Sequence, residues 1–204
     1  MKKNLVELIG TFFLVMSIGL TGNPLTIGCT LMVMVYMGGH ISGAHYNPAV
    51  TLAMMMRKKI SSSEAISYMI FQVVGALLAA TIVYLLVGAK FGPVPDGRYN
   101  ILKPIFIEGA FTFALASVVL NVAATKATAG NSFYGLAIGF TVFAAASAGG
   151  AISGGAFNPA VGIGPLVVGQ VLGANNIGNI WIYIVGPFAG GAAAAYVHQW
   201  VVGD

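Results

Sequence analysis

The sequence predicts an all-α membrane protein, with six transmembrane helices plus two re-entrant half-helices in an inverted two-fold repeat. Composition is the first observation. Of 204 residues, 58% are hydrophobic and only 7% are charged, against roughly 25% charged in soluble domains. The second is the recurrence of apolar runs long enough to cross a bilayer. The third is a twelve-residue phrase that occurs twice, GHISGAHYNPAV at Gly39–Val50 and GAISGGAFNPAV at Gly150–Val161. Eight of the twelve positions are identical, at an ungapped offset of 158 − 47 = 111.

The first span is expected over about Leu5–Leu20, closed by the turn-forming Thr21-Gly22-Asn23-Pro24, and the second over Leu25–Gly39. Met1-Lys2-Lys3 before an apolar run imitates a secretory leader. Glu7 interrupts that run, and its pattern returns inside the chain, so the segment reads as a retained span. In each phrase a small-residue loop meets Asn-Pro-Ala. Asn favours the N-cap and Pro the first helical position, so a helix starts at Pro48 and again at Pro159. Pro48–Met56 ends in Arg57-Lys58-Lys59. From Asn47 to Arg57 a helix rises about 16 Å, half of a ~30 Å hydrocarbon core. It therefore dips in and returns.

Ser61-Ser62-Ser63 caps a third span over Glu64–Val87, and Gly88–Lys103 is the longest loop. A fourth span covers Ile105–Ala123, Lys126 sits in a short loop, and a fifth covers Phe133–Gly149. The second half-helix is expected over Pro159–Val168, shortened or kinked by Pro165. Gly169–Gly178 then forms a loop and Asn179–Val201 the sixth span.

The repeat reaches beyond the phrase. Glu7, Thr11, Phe12 and Leu14 match Glu108, Thr112, Phe113 and Leu115 at an offset of 101. Tyr68, Gly75, Ala79 and Ala80 match Tyr183, Gly190, Ala194 and Ala195 at 115. One domain, residues 1–204, thus holds repeats at about 4–88 and 105–201. Three crossings per half invert the second half relative to the first. Lys2, Lys3, Arg57, Lys58, Lys59 and Lys126 fall on one side and Lys90, Arg98 and Lys103 on the other, which puts both termini in the cytoplasm of a cell inner or plasma membrane.

The doubled Asn-Pro-Ala in an apolar chain resembles the aquaporin and aquaglyceroporin channel family, over essentially the whole length. The resemblance implies a channel domain that forms homotetramers, with water and small neutral solutes as its partners alongside the lipid bilayer. It also implies that Glu7 and Glu108 buttress the dipping loops. The residues argue the same way. Two half-helix N-termini, each carrying about +0.5 charge, converge at the midplane. At 4 Å and an effective dielectric of about 20 they repel a cation by roughly 4 kcal/mol. Asn47 and Asn158 amides donate to a passing oxygen. Carbonyls of Gly43, Ala44, His45 and Tyr46, and of Gly154, Gly155, Ala156 and Phe157, line the track.

Water-selective relatives place Arg three residues after the second Asn; here that position is Val161. Counting from each Asn puts Ile27, Ala146 and Gly155 at the remaining filter positions, giving a wide apolar constriction. Glycerol- or urea-like solutes are then expected to pass. A secondary transporter, or a pore mainly for ammonia or gases, is the alternative. No nucleophile–base pair, phosphate loop or metal cluster suggests an enzyme, a cofactor or nucleic-acid binding. Cys29 reads as a small buried residue, His45 as a hydrogen-bonded loop residue, and His198 as unremarkable.

Overall fold

The computed structural model describes residues 1–174 and 177–203. Eight α-helices form among them: α1 (Lys2–Thr21), α2 (Pro24–Ser42), α3 (Pro48–Met56), α4 (Ser62–Val87), α5 (Leu102–Val119), α6 (Tyr134–Ser153), α7 (Pro159–Val171) and α8 (Ile182–Val201). A π-helical turn, Leu120–Ala124, extends α5, so six helices are long and apolar enough to cross a membrane. Exposed Trp181, the N-cap of α8, and exposed Trp200 near its other end are separated by about 28 Å along the helix axis. That is close to the hydrocarbon thickness, a separation that suits aromatics at the two membrane interfaces.

The repeats interlock. Within each, the first helix packs on the last, α1 on α4 and α5 on α8. Each half-helix also leans on the last helix of the other repeat, α3 on α8 and α7 on α4. The second helices, α2 and α6, cross each other at Gly28 and Gly139, positions 111 apart. A Cβ on Gly28 would lie 2.7 Å from the Gly139 carbonyl oxygen. Gly75 meets the Leu8 carbonyl just as Gly190 meets that of Gly109, so the same close crossing is built twice.

Four sequence expectations about the fold need correction. Helix α2 runs three residues past Gly39, because the residue that ends it is Gly43, at φ +89°. Helix α7 continues through Pro165 to Val171. Gly164 has no Cβ to clash with the proline ring, and buried packing against Ala76 holds the turn. The loop expected over Gly169–Gly178 is therefore shorter, with a 3-10 turn at Ile177–Asn179; its residues 175 and 176 lie outside those described. Cys29 is half-buried rather than buried.

Overpacking a helix crossing costs about 1–3 kcal/mol. Gly190→Leu should lower the thermal unfolding temperature of the detergent-solubilised protein, whereas Gly97→Ala, with nothing within 4 Å, should leave it unchanged.

Candidate functional site

The two phrases meet inside the molecule. Asn47 caps α3 through Oδ1, which accepts from Ala49 N at 2.8 Å, and Asn158 caps α7 through Ala160 N at 2.9 Å. Each Asn then spends one amide proton on the opposite loop. Asn47 Nδ2 donates to the Phe157 carbonyl and Asn158 Nδ2 to that of Tyr46, both at 2.9 Å. This reciprocal pair brings the starts of the two half-helices together and leaves each amide one further N–H.

The backbone before each Asn is strained. Tyr46 and Phe157 sit at φ 49° and 50°, a region that bulky residues avoid. Two buried carboxylates hold them there. Glu7 Oε1 accepts from His45 N at 3.0 Å and Ser42 Oγ at 2.6 Å, and its Oε2 from Tyr46 N at 2.7 Å. Glu108 does the same for Ala156 N at 3.0 Å, Ser153 Oγ at 2.7 Å and Phe157 N at 2.5 Å. Tyr68 and Tyr183 hydroxyls donate to the Ser42 and Ser153 carbonyls at the ends of α2 and α6. The loops thus have side-chain partners where no helix supplies them.

Along these loops runs a cavity of about 280 Å³. Following α6, its wall extends from Ile138 to Gly150, about 18 Å. Ile27, Ala146, Gly155 and Val161 all face it, as do Asn47, Asn158, His45, Tyr46, Gly154, Ala156 and Phe157. Gly43, Ala44, Pro48, Ala49, Pro159 and Ala160 are not in its wall, and the Tyr46 and Phe157 carbonyls accept from the Asn amides. The lining is paired by the repeat: Leu14 with Leu115, Ile18 with Val119, Ile27 with Ile138, Leu31 with Val142, Val50 with Val161. A mostly apolar tube with amides at its waist is what this arrangement makes.

Several polar residues escaped the sequence reading. Ser42 and Ser153 occupy the same place in each phrase, and Tyr68 and Tyr183 are repeat mates, so a signal was present for both. Gln72 had none. His198 is not unremarkable: buried, it accepts from Arg57 Nε through Nδ1 at 3.0 Å and lies 2.8 Å from Thr125 Oγ1 through Nε2. Arg57, also buried, thereby ties the end of α3 to α8.

Fold and cavity define a polytopic membrane protein with a lumen between inverted repeats. The Major intrinsic protein family model matches residues 15–198, and the chain belongs to that family, whose members are channels rather than enzymes. It is 35% identical to glycerol uptake facilitator protein-like 6 of Lactiplantibacillus plantarum, over 96% of both chains. It is 34% identical to aquaporin NIP1-1 of Oryza sativa subsp. japonica, over 97% of this chain and 73% of that protein. The aquaglyceroporin from Plasmodium falciparum shares the fold at a TM-score of 0.89 and 20% identity, covering 98% of this chain and 96% of that one.

Glu7 gathers four donors, the fourth being Gln72 Nε2 at 2.8 Å, whereas three are described for Glu108. Each stranded buried donor costs about 1–3 kcal/mol. Glu7→Ala should therefore unfold at a lower temperature than Glu108→Ala, and both below the wild type, by differential scanning fluorimetry in detergent.

Proposed function

We propose that this chain is a passive channel for water and small neutral solutes of the glycerol and urea kind. Solutes pass in single file through the cavity between the repeats. The observation that carries the reading is the reciprocal Asn–carbonyl pair at the waist of an otherwise apolar tube. Each remaining Asn N–H serves a solute oxygen, while loop carbonyls such as those of His45 and Ala156 serve its hydroxyls. The name of the Lactiplantibacillus plantarum relative, a glycerol uptake facilitator-like protein, supports glycerol, and that of the Oryza sativa relative, an aquaporin, supports water.

Ile27, Ala146, Gly155 and Val161 act as a wide apolar selectivity filter. None carries a charge or a side-chain hydrogen-bonding group, so a solute sheds little water to a competing fixed charge there. A coupled transporter would need a carboxylate free to bind an ion. Glu7 and Glu108 are instead committed to loop N–H groups. Both termini face the cytoplasm, and the assembled protein is a homotetramer with one lumen per subunit.

Stopped-flow light scattering of proteoliposomes with water, glycerol, urea and ammonia gradients tests this. Glycerol and urea should both pass, and Val161→Arg should cut their flux severalfold while sparing water. Fast water flux with glycerol and urea both excluded would contradict the wide filter. Flux of ammonia alone would establish the gas-like alternative.

A further inference from the structure

The inverted repeat pairs each residue at one end of the cavity with a mate at the other end. The inner end is the one beside the chain termini, and the outer end is the one away from them. At the outer end the wall contains Gly22 of the α1–α2 turn, Pro24 of α2, Ala146 and Gly150 of α6, and Gly154 and Gly155 of the second loop. Their mates at the inner end are Ala123, Gly135, Val35, Gly39, Gly43 and Ala44, and not one of these borders the cavity. The wall stops there at Val50, Val119 and Ile138. The break falls at the same level on α1 against α5, on α2 against α6 and on the two loops.

Burial divides the ends in the same way. Ala146 and Gly155 are half-buried, whereas their mates Val35 and Ala44 are buried, at 1% and 5% exposed. Bulk is the cause. An isopropyl group stands at Val35 where the outer ring has a methyl, and a methyl at Ala44 where it has a hydrogen. A clasp found at this end alone holds α2 to α6. Tyr36 and Tyr134 pack edge to face with 5.2 Å between ring centres. The Tyr36 hydroxyl donates to the Ser132 carbonyl and accepts from Leu136 N, both at 3.1 Å. Gly135 makes room for that ring, since a Cβ there would lie 2.8 Å from it. The outer mates of the two tyrosines are Ser147 and Asn23, neither of which carries a ring.

We propose that Val50, Val119 and Ile138 form the size-determining ring of this channel, at its inner end. The outer positions Ile27, Ala146, Gly155 and Val161 admit solutes that the inner ring then sorts. Its side chains make no hydrogen bond to a solute, so they discriminate by cross-section alone. Unbranched polyols and urea are slender enough to pass, and neutral solutes branched at a carbon are held back. Val35 and Ala44 are positioning residues that back the ring. This deepens the channel reading above and rests on it.

The test compares repeat mates in proteoliposomes of the full-length chain at matched protein content: Ile138→Ala against Ile27→Ala, and Val50→Ala against Val161→Ala. Each pair removes the same groups from the two ends, so a general loosening of the fold acts on both members alike. Two solutes are used, glycerol and a glycerol methylated at its middle carbon. Ile138→Ala and Val50→Ala should raise glycerol permeability severalfold and admit the methylated compound. Ile27→Ala and Val161→Ala should leave both permeabilities at the wild-type level. Ile138→Val, a smaller change in a packed site, should fall between wild type and Ile138→Ala. Val35→Ala, which gives the inner end the outer side chain, should raise the ratio of methylated to plain glycerol flux, a quantity that a purely structural role would not move. Equal gains at the two ends, gains at the outer end alone, or no gain at either overturn the proposal. Wild-type vesicles no more permeable to water, glycerol and urea than protein-free ones would instead overturn the channel reading.

Discussion

Everything in this protein answers to one constraint: two stretches of irregular backbone lie within the thickness of the membrane, and their N–H groups need partners. An unpaired group there costs several kcal/mol. The chain meets this with two buried glutamates that point at the loops, and with two Asn side chains that join the loops to one another. The same contacts hold Tyr46 and Phe157 at positive φ. Strain at that level, about 1–3 kcal/mol per residue, persists only where surroundings over-determine it. The bonds that join the two loops beside the cavity and those that satisfy their backbone thus belong to one network.

Duplication explains why so few residue types suffice. Glu, Ser, Tyr and Asn recur at matching positions, and the cavity inherits a two-fold lining in which aliphatic residues have aliphatic repeat mates. The two halves also depart from that symmetry. Gln72, Thr51 and His45 make the first half polar where Pro187, Gly162 and Ala156 leave the second apolar. Arg57 gives another asymmetry, since it anchors the end of α3 to α8 through His198. At the corresponding end of α7 a lysine from the long loop, Lys90, donates to the Leu172 carbonyl at 2.5 Å. Both cations sit where a half-helix presents its negative end.

Much of this was legible in the amino-acid order. The half-helices announce themselves because Asn-Pro fixes an N-terminus locally, and α3 covers Pro48–Met56, the range read from sequence. The spans are visible because lipid demands length and apolarity, which a window can read. Helix ends were harder. Gly39 does not stop α2, and Pro165 does not stop α7, because neighbouring helices hold the turns. The Arg57–His198 and Gln72–Glu7 contacts join residues 141 and 65 positions apart, which no local pattern encodes. Their partners exist only once the two halves have interlocked.

The central claim is that two helix N-termini, joined by Asn side chains, form a throat that admits neutral solutes and refuses cations without any charged filter residue. Simultaneous recording of urea flux and of proton and potassium leak in one proteoliposome preparation tests it directly. Urea should pass while cation leak stays at the level of protein-free vesicles. Cation leak that scales with protein content would contradict the account.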